Sequence, residues 1–348
     1  VVFGAGRRRE VDAELGRLAL TRPLLVVGPS LKAGEELSDL LAPLLAGRFD
    51  DVEMHVPATV AARAVDAART GAADSVVVIG GGSAIGTAKA IAKETHLPIL
   101  AVPTTYAGSE MTPIWGITAD RRKTTGRDPH VLPRVVIYDP ELTVSLPPEL
   151  TAASGMNALA HLAEGLYAPH VSPLAVLTAK EGIRALAAGL PRAVVDPADI
   201  DARAEVTYGA WLAGWTLGTT GMGIHHKICH TLGGSYDLPH APSHSAVLPY
   251  ALAANAYAAP AAVAAIEAAF RAAGRDVDHA PGATWDLRRE IGATQSLSAL
   301  GFPAEEIDRA ADIVVRGRPV NPRPVDHACA RAVLAAAYAG DRPSGFLP

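Results

Sequence analysis

Apolar residues in the first half of the chain fall in short unbroken runs, whereas those in the second half recur at helical spacing. PLLVVGPS (23–30), DSVVVIGGGS (74–83), LPILAVPTT (97–105) and RVVIYDP (134–140) are aliphatic, largely β-branched stretches that end at Gly, Pro or Asp-Pro. Runs of this length without polar alternation predict strands buried on both faces. Segments such as AARAVDAARTGAA and AIGTAKAIAKETH between them predict covering helices, and hence a parallel sheet. From about residue 151 the chain turns rich in Ala and Leu; PLAVLTAKEGIRALAAGL and AAVAAIEAAFRAAG predict amphipathic helices and no strand run is evident. The pattern predicts an α/β domain over 1–150 and an all-helical domain over 151–348, with the cleft between them as the default ligand site.

One segment tests this reading. VTYGAWLAGWTLGTTGMGI (206–224) carries no charge and is long enough to span a bilayer, but it contains five Gly and four Thr and runs directly into His-His-Lys. A helix buried in a protein core and ending among glycines is expected instead.

Composition narrows the function classes. The 348 residues are 49% hydrophobic and 19% charged, enough apolar material for large cores and inconsistent with disorder. A net charge of −5 argues against a general nucleic-acid binder. Two cysteines, Cys229 and Cys329, cannot form a disulfide framework, so a reducing cytoplasm is expected. The opening VVFGAGRRREV places apolar residues ahead of basic ones, the reverse of a secretory signal; it has no initiator Met, so a few residues are expected to be missing.

Two motifs carry chemistry. In DSVVVIGGGSAIGTAKAIA a strand ends in Gly80, Gly81 and Gly82 before a helix begins. Glycines allow close backbone approach to a phosphate, helix N-terminal amides supply donors, and Ser83 adds a hydroxyl. The spacing is neither G-x-G-x-x-G nor a Walker motif, so a dinucleotide pyrophosphate is one reading and a bare tight turn the other. After the next strand, PTTYAGSEMTPIWG places Thr104, Thr105 and Ser109 where open α/β sheets bind ligands. The second motif is a concentration of imidazoles. SGMNALAHLAEGLY sets Asn157 and His161 on one helix face with Glu164 nearby. GIHHKICHTLGGSYDLPHAPSH holds His225, His226, His230, His240 and His244 within 20 residues. His226 and His230 share a helix face, and a turn at Gly233-Gly234 is expected to return the chain so that His240 joins them. Converging imidazoles suit either a metal or a proton-transfer and oxyanion site. Cys229 is expected to be a small buried thiol.

GGGSAIGTAK, PTTYAGSE, LPRVVIYDPELT, SGMNALAH, HHKICHTLGGSYDLPHAPSH and NPRP occur in the order seen in the iron-containing alcohol dehydrogenase superfamily, and PTTYAGSEMTPIWG, KTTGRDP and HHKICHTLGG resemble its maleylacetate reductase branch. The resemblance implies a dehydroquinate synthase-like fold, with an N-terminal nucleotide-binding α/β domain and a helical C-terminal domain. It implies NADH- or NADPH-dependent reduction of maleylacetate to 3-oxoadipate in bacterial breakdown of aromatic compounds, by a cytoplasmic homodimer. Gly81, Gly82 and Ser83 would hold the pyrophosphate, Thr104 and Thr105 would line the nicotinamide side, and Lys123 matches a lysine near the cofactor. His161, His226 and His240 would bind substrate and stabilise an enolate, His230 would deliver the proton, and Lys227 would hold a substrate carboxylate. Arg121, Arg122, Arg127 and Arg323 are further candidates for the dicarboxylate. After the first strand, Gly28, Pro29 and Ser30 include no carboxylate to repel a 2′-phosphate, so use of both cofactors is expected.

Two positions depart from the pattern. Metal-dependent relatives present an aspartate and three histidines as ligands; the matching residues are Asn157, His161, His226 and His240. The only anionic ligand is thus lost and no metal is expected. Gly86 stands where relatives commonly have Asp. The competing readings are a metal-dependent alcohol or lactaldehyde dehydrogenase, which Asn157 opposes, a metal-requiring cyclase similar to dehydroquinate synthase, and a nucleotide sensor without catalysis. No membrane or nucleic-acid partner is expected.

Overall fold

A computed structural model of the chain describes residues 1–28, 32–119, 122–169 and 171–347, with the backbone alone at 122 and 123. Pro29, Ser30, Arg121 and the side chains of Arg122 and Lys123 lie outside the described residues. The chain forms two compact units, 1–146 and 147–348.

Among the described residues the first unit has eight strands: β1 (Val2–Phe3), β2 (Pro23–Val27), β3 (Gly47–Phe49), β4 (Ser75–Gly80), β5 (Ile99–Pro103), β6 (Ile114–Ala119), β7 (Arg122–Arg127) and β8 (Val135–Tyr138). Six of them form one sheet in the order β1-β8-β5-β4-β2-β3, every neighbouring pair parallel. The apolar runs are buried as predicted. Leu25 and Val27 of β2, Val77 and Ile79 of β4, Leu100 and Val102 of β5, and Val135 and Ile137 of β8 pack on one face. There they meet Val11 and Leu15 of α1 (Val11–Arg17) and Leu37 and Leu41 of α2 (Lys32–Leu41). Helices α3 (Ala58–Thr70) and α4 (Gly82–Thr95) complete the unit's helical cover. The antiparallel hairpin β6–β7 is an element the hydrophobic pattern did not predict. Its described side chains are half-buried or exposed, and its sequence, IWGITA and RKTTGR, holds no unbroken apolar run.

The second unit holds α5 (Pro148–Gly165), α6 (Pro173–Val195), α7 (Ile200–Thr219), α8 (Ile224–Tyr236), α9 (His240–Asn255), α10 (Pro260–Ala272), α11 (Ala280–Glu290), α12 (Ile307–Arg316) and α13 (His327–Ala339). The uncharged 206–224 segment supplies most of α7, and glycines pack tightly where it crosses its neighbours. A Cβ on Gly209 would lie 2.8 Å from Leu186, one on Gly165 of α5 would lie 2.2 Å from Thr216, and one on Gly182 of α6 would lie 2.7 Å from Leu162. Small residues at these crossings bring α5, α6 and α7 close together. Among the described residues no helix is long and apolar enough to cross a membrane.

Candidate functional site

The glycine turn of the first unit is shaped by its backbone. Gly80 ends β4 at φ +152°, a conformation that other residues rarely adopt, and a Cβ there would lie 2.6 Å from Ala84. Gly81 caps α4 with no side-chain hydrogen bond, and the first intrahelical donor is Ile85, whose N–H reaches the Gly81 carbonyl at 3.1 Å. The N–H groups of Gly82, Ser83 and Ala84 therefore precede any intrahelical acceptor. Thr104, buried, donates its N–H to the Gly80 carbonyl at 3.1 Å, and the Thr105 side chain sits where a Gly81 Cβ would be, 2.9 Å away. At exposed Gly82 a Cβ would meet nothing nearer than Ala107 at 3.5 Å. The turn thus presents free amides beside open space at Gly82, a cradle that fits the pyrophosphate of a dinucleotide. Gly86 also has a local cause, because a Cβ there would fall 2.7 Å from Val56.

In the second unit the imidazoles converge. His161 projects from α5 and His226 from α8, with ring centroids 4.9 Å apart. His244 of α9 lies 4.6 Å from His226 and 4.7 Å from His225, and His240, at the start of α9, lies 4.3 Å from His244. His230 is 6.2 Å from both His226 and His240. His161, His225, His226 and His244 are buried, whereas His230 and His240 are exposed at the rim. The Gly233-Gly234 turn is not observed: both residues lie inside α8, and the chain reverses at Asp237, at φ +56°, before Pro239. Two glycines within the last turns of a helix remain helical because the hydrogen-bonded ladder outweighs their entropic preference for coil.

Glu164 organises the cluster. It is fully buried at the N-terminus of α8. Its Oε1 accepts the backbone N–H of Gly223 at 3.1 Å and of His225 at 3.0 Å, and its Oε2 accepts the His226 N–H at 3.3 Å and the His226 Nδ1 through a very short contact. Helix-terminal amides and the dipole favour an anion at this place. Burial opposes ionisation, but the charges and hydrogen bonds of His226 and His225 hold the carboxyl well below its ordinary range. Asn321 of the NPRP motif completes the cap. Its Oδ1 accepts the Ile224 N–H at 3.3 Å, and its amide pairs reciprocally with Asn255 at 2.6 and 3.0 Å. A Cβ on Gly223 would fall 2.8 Å from Asn321 and 3.0 Å from Glu164, so this glycine leaves room for the cap.

Burial, together with the neighbouring imidazoles, pushes His161 and His244 well below the usual histidine value. Burial also lowers His226, against the pull of Glu164. For His225 burial again opposes charge, but Cys229, its sulfur 3.7 Å away, and Glu164 raise it to about 10. His225 Nδ1 lies 3.8 Å from Glu164 Oε2. Asn157 Oδ1, His161 Nδ1, His226 Nε2 and both ring nitrogens of His244 are buried without hydrogen-bond partners, the mark of a site that takes a polar ligand.

The residues matching the relatives' metal ligands are an amide and three imidazoles, all uncharged donors. The nearby carboxylate is occupied by backbone and imidazole N–H groups. His225, His226 and His244 bring one ring nitrogen each within 4.8 Å of one another. His225 Nε2, 3.2 Å from the His244 carbonyl oxygen, is placed to donate a hydrogen there. Neutral imidazoles can ligate a divalent ion of the zinc type, but with an amide at Asn157 the set supplies no anionic ligand to offset the cation's charge.

Lys227 is not brought to the imidazoles. Its ammonium group lies over Gly317, just past α12, within 2.1 Å of where a Cβ would be. One helical residue turns the side chain through about 100°, so the neighbour of His226 in sequence occupies another face. Arg323 donates to the Leu347 carbonyl at 3.0 Å, tying down the C-terminal segment, and Arg127 is exposed on β7. Glu164 is the residue whose role the sequence reading missed; its signal is the i, i+3 step from His161 on the face that bears the cluster.

Comparisons with known proteins agree with this construction. The profile for iron-containing alcohol dehydrogenase matches residues 1–140, and that for the C-terminal region of the same family matches 151–338. A maleylacetate reductase of Burkholderia cepacia is 49% identical over 346 residues, covering 99% of this chain and 97% of that protein. The crystal structure of a maleylacetate reductase from a Rhizobium species superimposes with a TM-score of 0.93 at 46% identity, covering 98% of this chain and 96% of the other. That from Agrobacterium tumefaciens superimposes equally, at 0.93 and 44% identity with the same coverage. The chain belongs to the iron-containing alcohol dehydrogenase family, within its maleylacetate reductase branch.

Proposed function

We propose that this protein reduces the C=C bond of maleylacetate to give 3-oxoadipate, using NADH or NADPH and no metal. The observation that carries the reading is the buried cluster in which Asn157, His161 and His226 leave polar atoms unpaired while Glu164 is already saturated. Such a site offers neutral donors and acceptors to a ligand oxygen rather than an anionic seat for a cation.

Maleylacetate is a dicarboxylate whose ketone is conjugated to an alkene. A bound reduced nicotinamide supplies the hydride, which adds to the alkene carbon β to the ketone. The electron pair of the C=C bond shifts to give an enolate, and the carbon α to the ketone then takes a proton. An alkoxide concentrates charge on one oxygen and benefits greatly from a Lewis acid; an enolate spreads it, so amide and imidazole donors suffice. The NH₂ group of Asn157 and an Nδ1–H of His161 would donate to the ketone oxygen, the Asn157 Oδ1 being an acceptor only. Glu164 accepts the Nδ1–H of His226 and directs Nε2 at the ligand; because burial disfavours the charged ring, Nε2 must receive its proton from the rim before passing it on, with Glu164 as the counter-charge. The exposed His230 and His240 at the rim return a proton from water. The free amides at Gly82, Ser83 and Ala84 hold the pyrophosphate, with Thr104 and Thr105 setting the adjoining wall. The proposal includes a homodimer in the cytoplasm.

The test is NADH oxidation with maleylacetate beside a panel of primary alcohols with NAD⁺. Turnover of maleylacetate alone supports the reading. Turnover of the alcohols alone assigns the chain to the metal-dependent dehydrogenases instead.

A further inference from the structure

The GGGSAIGTAK motif contains a buried cation that neither the phosphate cradle nor the histidine chemistry uses. Lys89, on α4 two turns beyond the glycines, is 1% exposed. Its Nζ lies 2.6 Å from the Ser109 carbonyl, 2.7 Å from the Thr112 carbonyl, 3.0 Å from Thr112 Oγ1 and 2.7 Å from the Ile114 carbonyl. Four oxygens around one ammonium form a complete cage, since –NH₃⁺ has three donors to distribute and no other way to be satisfied in a dry interior. The caged oxygens belong to the short 3-10 turn Ser109–Met111 and the chain that leads from it into β6. Thr112 Oγ1 reinforces the turn by donating to the Ser109 carbonyl at 3.0 Å.

A buried carboxyl stands beside this cage. Glu110 is 0% exposed; its Oε1 accepts from the Tyr138 hydroxyl at 2.7 Å, and its Oε2 has no partner. Tyr138 ends β8, so the segment is fastened to the sheet on one side by Glu110 and to α4 on the other by Lys89. At its opposite end the same segment carries Thr104, bonded to the Gly80 carbonyl, and Thr105, packed on Gly81. One stretch of chain thus connects the ammonium cage to the wall of the phosphate cradle.

We propose that Lys89 is a positioning residue for the dinucleotide: it holds the 104–114 segment in register so that Thr104 and Thr105 close the glycine turn to the correct width. This role rests on the reading of that turn as the dinucleotide site. Lys89 touches no cofactor; it acts through Ser109, Thr112 and Ile114. Its removal should therefore loosen the segment and weaken dinucleotide binding while leaving substrate turnover at saturating cofactor largely intact.

The full chain is tested as wild type, Lys89→Met and Thr112→Val. NADH affinity is read by fluorescence titration, kcat and KM for NADH by steady-state kinetics, and hydrogen exchange over 104–114 in the cofactor-free protein. Lys89→Met should weaken NADH binding about tenfold, as loss of a supporting-shell contact commonly does, with kcat within about twofold. Thr112→Val, which removes one acceptor and keeps the shape, should weaken it roughly threefold. Both should speed exchange in 104–114. Should Lys89→Met fail to fold, Thr112→Val decides. Folded variants that bind NADH as tightly as the wild type, or that only melt earlier with unchanged exchange in this segment, overturn the role. A wild type that binds neither NADH nor NADPH overturns the reading of the glycine turn itself.

Discussion

The glycine turn of the first unit and the histidine cluster of the second are built by opposite means. The turn is a backbone site: Gly80 at positive φ, Gly81 pressed by Thr105 and Gly82 facing open space leave amides bare at the start of α4. The cluster is a side-chain site: rings from α5, α8 and α9 are buried together and aimed by one carboxylate. A backbone site loses function when a side chain intrudes. A side-chain site loses it when a donor is deleted or re-aimed. The two regions should therefore fail in different kinetic parameters, the turn in cofactor affinity and the cluster in turnover.

The largest effect should follow from His226→Ala. Removing a donor that acts where charge develops costs on the order of 10²–10³-fold in kcat, with KM for NADH little changed. Steady-state kinetics at saturating NADH will show it, and a near-normal kcat would dissolve the contrast between the regions. Next comes Glu164→Gln. The amide still accepts the Gly223 and His225 N–H groups through its oxygen, but it presents N–H to His226 Nδ1 and forces the other tautomer. A loss of about 10²-fold in kcat is expected, because partners that orient a reacting imidazole commonly weigh this much. A rate within threefold of wild type would show that the carboxylate only caps α8.

On the other side of the comparison, Gly82→Val should weaken NADH binding by about tenfold or more, equivalent to at least about 1.4 kcal/mol. The protein itself has room for a side chain there, with its nearest neighbour 3.5 Å from the added Cβ, so the fold should persist and the loss fall on the ligand. Unchanged affinity would move the pyrophosphate elsewhere. The smallest effect is expected from Lys227→Ala. Because the ammonium lies over Gly317, kcat and KM for maleylacetate should stay within about twofold, as for a surface charge outside the chemistry. A large rise in KM would return Lys227 to the substrate.

The same contrast explains what could be read from the sequence. DSVVVIGGGS announces strand, turn and helix start because a backbone site is local: the residues that shape it are consecutive. The density of histidines announces a cluster, but its internal order depends on contacts between helices. His225 and His226 are adjacent in sequence, yet one faces Cys229 and the His244 carbonyl and the other is the ring that Glu164 aims. Lys227, one residue further, leaves the face altogether. Gly233 and Gly234 carry the composition of a turn but lie within α8, where the helix continues to Tyr236 and Asp237 makes the reversal. The hairpin β6–β7 was illegible because neither IWGITA nor RKTTGR carries an unbroken apolar run. Departures from family pattern were legible as substitutions but not as causes: only the packing shows that Gly86 makes room for Val56.

The central claim is that this cluster supports C=C reduction without a metal, since Asn157 is neutral and Glu164 is committed to α8 and His226. The most direct measurement is maleylacetate-dependent NADH oxidation by protein dialysed exhaustively against a strong chelator, with metal content verified, beside the Asn157→Asp variant. The account predicts an undiminished rate for the wild type and measurable zinc or iron binding only in Asn157→Asp. Activity that disappears on chelation of the wild type and returns with zinc or iron would contradict it.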